Sequence, residues 1–201
     1  MADYATWNPS DKNANITLSG SDLTATAANT SWKSARATIG NSSGKWYWEI
    51  TVDVSSDNRT THGVGSLSAT LNDWVGSDDY GWGYAGITGY KYHSDIGVAY
   101  GSTFAAGSVI GVALDLDDGK IWWAKNGVWQ ASGNPATGAN PAYTGLSGTC
   151  YPMCTCYAIN SKITANFGAS AFSYSVPAGF NSGFYEGVEN NIIKPSMLLV
   201  F

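Results

Sequence analysis

The chain has 201 residues, enough to bury a sizeable core in one domain without disulfide or metal staples. Charged residues make up only 12% and the net charge is −5, with ten Lys and Arg and no basic stripe, which speaks against nucleic acid as a partner. The longest apolar run, Met197-Leu198-Leu199-Val200-Phe201, is far too short to span a bilayer. Met1-Ala2-Asp3-Tyr4-Ala5 lacks the basic and apolar regions of a signal peptide, so synthesis in a cytoplasm is expected.

Apolar residues recur with period two along the chain, and no stretch sustains a helical period. Ile16 and Leu18 alternate, Ser19-Gly20-Ser21-Asp22 turns the chain, and Leu23, Ala25 and Ala27 alternate again. Ala35, Ala37 and Ile39 repeat the pattern. The strongest strand signal follows, where Trp46, Trp48, Ile50, Val52 and Val54 share one side of an extended segment and Lys45, Tyr47, Glu49, Thr51 and Asp53 take the other. Residues 67–93, rich in Gly, Asp, Trp and Tyr, read as a long loop of the kind that carries function in a compact domain. Ile110, Val112, Leu114 and Leu116 share a face, with Val109, Gly111 and Ala113 apolar or small opposite, which suits a central strand. Asp117-Asp118-Gly119 joins it to residues 120–124, and Asn126-Gly127 follows at once. Asp-Gly and Asn-Gly tolerate positive φ, so two hairpins in succession make an antiparallel meander, and antiparallel pairing is expected throughout. Residues 132–141, with two prolines, form a second loop. The tail from Glu186 ends in the apolar run and is expected to act as an edge strand or as a segment docking on a neighbouring copy, the latter giving a homo-oligomer.

The chemical motifs are incomplete. Cys150, Cys154 and Cys156 are odd in number, and Cys154 and Cys156 share strand parity, as small buried thiols would. His62 and His93 are too far away in sequence to complete a metal set with them. Gly81-Trp82-Gly83-Tyr84-Ala85-Gly86 satisfies the spacing of a dinucleotide loop, but no helix opens after it. Gly40-Asn41-Ser42-Ser43-Gly44 has the spacing of a nucleophile elbow, yet a strand follows instead of a helix. Asp115, Asp117 and Asp118 flank a tight hairpin with little room for an ion. Asp73, Asp78 and Asp79 suit calcium better but lack the remaining ligands. Glu49, Glu186 and Glu189, the three glutamates, signal no carboxylate pair for glycoside hydrolysis. No cofactor, no metal and no catalytic constellation is expected, so the chain reads as non-enzymatic. Trp74, Tyr80, Tyr90, Tyr92 and His93 lie in loop-like sequence, where aromatic anchors supply contact area for a protein partner or a stacking surface for sugar rings.

Several ordered segments resemble the SPRY (B30.2-like) domain family. Gly44-Lys45-Trp46-Tyr47-Trp48-Glu49 is similar to its early Gly-x-hydrophobic-Tyr-x-Glu strand, and Trp82-Gly83-Tyr84 with Lys91-Tyr92-His93 is similar to its Trp-Gly-Tyr…Lys loop. Residues 109–116 with Ile121-Trp122-Trp123-Ala124-Lys125-Asn126-Gly127 resemble its Asp…Asn-Gly hairpin, and Tyr151-Pro152 and Asn166-Phe167-Gly168 its closing signatures. The chain departs from the family where Ala169-Ser170-Ala171-Phe172 replaces the usual Gln-x-Pro-Phe. The resemblance implies an all-β, bent antiparallel sandwich of concanavalin-like jelly-roll architecture, with lead-in strands over residues 1–39, a core over 40–180 and one domain over 1–185. It implies partner binding through loops, without catalysis. By position along the family pattern, Trp74, Val75 and Tyr157 fall near the peptide-binding segments of animal SPRY domains.

The low charge and small-residue loops look most like SPRY domains of bacteriophage structural proteins. The expectation is therefore a virion component, in a tail or fibre, binding another virion subunit or a host receptor. The alternative expectation is a carbohydrate-binding domain for host-surface glycans.

Overall fold

The computed structural model describes residues 3–186. The apolar run from Met197 to Phe201, expected as an edge strand or docking segment, lies outside the described residues. Within them two sheets pack face to face. Their strands in chain order are β1 (Trp7–Lys12), β2 (Ile16–Ser19), β3 (Thr24–Ala27), β4 (Lys33–Ala37), β5 (Lys45–Val54), β6 (Thr60–Gly65), β7 (Gly81–Ala85), β8 (Tyr90–His93), β9 (Ile96–Ala99), β10 (Val109–Asp115), β11 (Lys120–Lys125), β12 (Val128–Trp129), β13 (Tyr143–Thr144), β14 (Tyr151–Cys156), β15 (Lys162–Asn166) and β16 (Asn181–Ser182). One sheet runs β1-β4-β14-β6-β7-β8-β9. The other runs β12-β11-β10-β5-β15-β3-β2, with β13 on β11 and β16 on β5.

Among the described residues every strand pairing is antiparallel except one. β15 lies along β5 only as far as Glu49, and β16 takes up the vacated edge at Trp46 and Tyr47, running parallel. The chain reaches that edge by a return loop instead of a hairpin, and this removes the constraint that made the other neighbours antiparallel. The meander itself is as the turn residues dictate. β10 and β11 pair from Ile110–Lys125 to Asp115–Lys120, and Asn126 and Gly127 at φ 49° and 77° close the next hairpin.

Trp48, Ile50 and Val52 of β5 are fully buried between the sheets and Trp46 nearly so, but Val54 is 43% exposed where the strand outruns the core. The opposite side of β5 is not solvated as alternation alone suggests. Tyr47 and Glu49 are buried as well, because the segments after β12 and after β15 fold over that face. Phe172 meets the Tyr47 ring at 5.0 Å, and Trp122 Nε1 donates to the Ala139 carbonyl at 2.8 Å. Glu49 accepts from the Tyr47 hydroxyl (2.9 Å) and from the backbone N–H groups of Ser173 (2.8 Å) and Tyr174 (2.9 Å). The carboxylate thus fixes the irregular segment that follows Asn166-Phe167-Gly168, where the sequence departs from the pattern it resembles.

Residues 67–93, read as one loop, contain β7 and β8. Glycine hides these strands from a periodicity reading because β7 presents Gly81 and Gly83 to the outside of its sheet. The space is filled by backbone: a Cβ on Gly83 would stand 2.2 Å from the Val75 carbonyl oxygen. The true loop, residues 66–80, is pinned flat on that outer face.

The acids of the β10–β11 hairpin serve the turn. Asp115 is buried, accepts from the N–H groups of Asp117 and Asp118 at 3.1 Å and pairs with Lys45 at 2.7 Å. Cys150, Cys154 and Cys156 are buried free thiols, and burial pushes Cys150 up to about 11 and Cys156 up to about 12. Among the described residues no helix is long and apolar enough to cross a membrane.

Candidate functional site

On the outer face of the seven-stranded sheet lies a groove of about 400 Å³, lined by Trp32, Arg59, Thr61, Trp74, Ala85, Ile87 and Tyr92. Its floor is made of short side chains because Thr61 and Ala85 are direct partners on β6 and β7. Its walls come from separate parts of the chain: the turn before β4, the turn before β6, the 66–80 loop, the β7–β8 turn and β8 itself.

The walls are held by polar contacts beneath them. The Ser34 hydroxyl donates to the Asp73 carbonyl at 2.6 Å, and the Val75 N–H donates to Thr155 Oγ1 at 3.0 Å, so both neighbours of Trp74 are anchored to the sheet. Ser34 and Thr155 lie side by side in β4 and β14 and share a hydrogen bond of 2.9 Å. Trp32 is fixed by the next residue. The buried Lys33 ammonium donates to the carbonyls of Asn29 (2.8 Å), Ser31 and Tyr157 (3.3 Å), and burial lowers its pKa. The result is an aromatic cluster in which Trp32 touches Trp74 at 5.2 Å and Tyr157 at 4.7 Å, with planes inclined by 59° and 58°. The Arg59 guanidinium lies over Tyr157, 4.8 Å from the ring centre.

The residues singled out in the sequence divide into three groups. Trp74 and Tyr92 line the groove, and Tyr157 backs it through Trp32 and Arg59. Tyr90, 40% exposed, stands two residues from Tyr92 on the same face with ring centres 6.4 Å apart, and Tyr80 is 51% exposed at the start of β7. Val75 and His93 are committed to the fold. Val75 is 2% exposed and packs with Ala69 and Met153. His93 points to the other face of β8, stacks on Trp82 at 4.7 Å and 7°, and its Nδ1 lies 2.9 Å from the Gly81 carbonyl. Sequence reasoning missed Trp32, Arg59 and Ile87. Trp32 precedes a strand with no loop signal of its own, although Asn29-Thr30-Ser31 before it is turn-like. Arg59 is an isolated cation whose role depends on a tyrosine almost a hundred positions away.

Of Asp73, Asp78 and Asp79, read as the better calcium candidates, Asp78 commits both carboxylate oxygens to turns and Asp73 commits one. Asp73 accepts from Trp74 N–H at 3.0 Å, and Asp78 accepts from Thr70 (2.7 Å) and Tyr80 (2.9 Å). Among the described residues no group of three or more His, Cys, Asp or Glu side chains is placed to hold a metal ion.

The family model for the SPRY domain matches residues 45–170, more than half of the chain, and the chain belongs to this family. SPRY domains are generally interaction modules without catalytic activity. The chain is 30% identical to ATP-dependent RNA helicase DDX1 of Xenopus laevis over 151 residues, covering 74% of the chain and 18% of that protein. It is 27% identical to Ran-binding protein 9 of the same organism over 179 residues, covering 85% of the chain and 31% of that protein. It therefore spans less than a third of either relative. The SPRY domain of human HERC1 has the same fold, with a TM-score of 0.64, 19% identity and coverage of 79% of this chain and 96% of that one. These relatives are eukaryotic cellular proteins, which overturns the expectation of a virion component. Small-residue loops and low charge, the grounds for it, describe only this chain's own composition, whereas the relatives are found by aligned sequence.

Proposed function

We propose that this domain binds a peptide segment of a protein partner in the groove walled by Trp32, Trp74 and Tyr92. One observation carries the reading. Separate segments converge on a cleft with a floor of Thr61 and Ala85, and the backbone on either side of Trp74 and just after Trp32 is braced by hydrogen bonds beneath the two tryptophan walls. Such pre-set aromatic area lowers the cost of ordering the interface on binding. Trp32 is inclined to both Trp74 and Tyr157, so the three rings do not form one continuous flat shelf, and the cleft shape favours an inserted side chain.

The test is selection of a random dodecapeptide phage library on the immobilised domain, followed by affinity measurement of the winning peptides. Trp74→Ala and Trp32→Ala are expected to weaken them at least about tenfold, the cost of a hot-spot aromatic, while circular dichroism stays native. Peptides bound equally by both variants would place recognition elsewhere and refute the reading.

A further inference from the structure

Arg59 is the one charged side chain lining the groove among the described residues, in a chain of net charge −5. A guanidinium carries five N–H donors. None of those on Arg59 lies within hydrogen-bond distance of an acceptor among the described residues, since its nearest carboxylate, Asp57, stands 3.9 Å from Nε. Asp57 is occupied with the Arg59 backbone N–H, which it accepts at 3.1 Å, and this holds it beside the cation without neutralising the outer edge of the fork. Below the guanidinium, the face of Tyr157 supplies a cation–π contact. That contact places the cation over the ring and uses none of its N–H donors. The side chain is partly buried, at 42% exposure, so its charge is screened less than that of a fully solvated arginine.

We infer that the groove selects a peptide carrying an Asp or Glu close to a bulky apolar residue, the carboxylate taken by Arg59 and the apolar side chain by the cleft between Trp74 and Tyr92. This rests on the peptide-binding reading of the same groove and adds its specificity. A planar fork placed over an aromatic ring suits two parallel hydrogen bonds to a carboxylate. A basic peptide meets the opposite: a guanidinium, only distantly paired with Asp57, beside the cation it brings. Specificity then comes from repulsion as well as attraction.

The experiment reads the sequences selected from the random dodecapeptide library by the wild-type domain and by Arg59→Glu. The expected result is enrichment of an acidic residue within a few positions of Trp, Phe, Leu or Ile on the wild type, and replacement of that acid by Lys or Arg on Arg59→Glu. In the winning peptide, Asp→Asn (or Glu→Gln) should weaken binding to the wild type about ten- to hundredfold, and should change binding to Arg59→Ala little. Selection of apolar peptides without an acid, still dependent on Trp74, would overturn this inference and leave the groove as the binding site. Selected peptides indifferent to Trp32→Ala and Trp74→Ala would overturn the groove itself.

Discussion

His62 makes the stability of this domain depend on pH in a window where carboxylates contribute little. It lies in β6 with no exposed surface, its ring 5.7 Å from Phe104 at 25°, and burial pushes its pKa down to about 3 from 6.5. The hydrogen bonds fix the proton. Thr60 Oγ1 donates to the Thr155 carbonyl at 2.8 Å, so in its 3.1 Å contact with His62 Nε2 the hydroxyl accepts and Nε2 carries the hydrogen. Nδ1 is buried with no partner among the described residues. Protonation would put a new N–H there facing no acceptor. The unfolded chain has no such restraint and binds the proton below about 6.5. Stability is therefore complete above that value, falls as the pH drops from 6.5 towards 3, and from this group falls no further below 3. Between pH 7 and pH 5 the loss is about 2 kcal/mol, the free energy of protonating only the unfolded state. Urea titrations followed by tryptophan fluorescence at these two pH values measure it, and His62→Gln serves as the reference that retains every other titrating group. The wild type should lose about 2 kcal/mol more than the variant. Equal losses would refute the assignment of a neutral, unpartnered imidazole to this site.

Three further perturbations separate what holds the fold from what positions the groove. Trp48→Ala empties a fully buried site in β5 and should cost about 3–5 kcal/mol in urea unfolding, where Trp74→Ala, at the groove, should cost about 1 kcal/mol. Glu49→Gln turns an amide towards donors that a carboxylate accepted, and should destabilise by about 1.5–3 kcal/mol with the largest exchange increase at the Ser173 and Tyr174 amides. Thr155→Val keeps the shape but removes the acceptor for Val75 N–H. About 1–3 kcal/mol of local stability should be lost, read as faster hydrogen exchange at Val75, with weaker peptide binding because Trp74 is no longer held.

The inner faces of the sheets were readable in the sequence because bulky apolar residues there alternate with strand parity, as in Ile110, Val112 and Leu114, and because the turns carry residues that positive φ requires, as in Asn126-Gly127. The outer faces were not. Tyr47 and Glu49 alternate with the tryptophans as solvated residues would, yet they are buried under a segment more than a hundred positions later. Period two reports on which side a residue points and says nothing about what later chain covers that side. The same limit explains the site. Trp74 and Tyr92 stood out as aromatics among turn residues, but Trp32 and Arg59 acquire meaning only when β14 places Tyr157 beside both.

That placement follows from a division of labour within single strands. In β6, His62 and Val64 face the core while Thr61 floors the groove, and in β14, Cys154 and Cys156 pack inward while Thr155 anchors the loop of Trp74. The hydrogen bonds that join these positions run across neighbouring strands, from Thr60 to the Thr155 carbonyl and from the Thr155 hydroxyl to Ser34. A change that loosens the register of β6 on β14 therefore reaches the core through His62 and the groove through Trp74 at once. The proposed binding groove and the acid sensitivity expected from His62 share one strand pair. A bound peptide, by stabilising the groove walls, should raise the urea midpoint at pH 5 and at pH 7 alike without changing the difference set by His62. A peptide that abolished the difference would mean that the groove and the imidazole are coupled beyond the shared backbone.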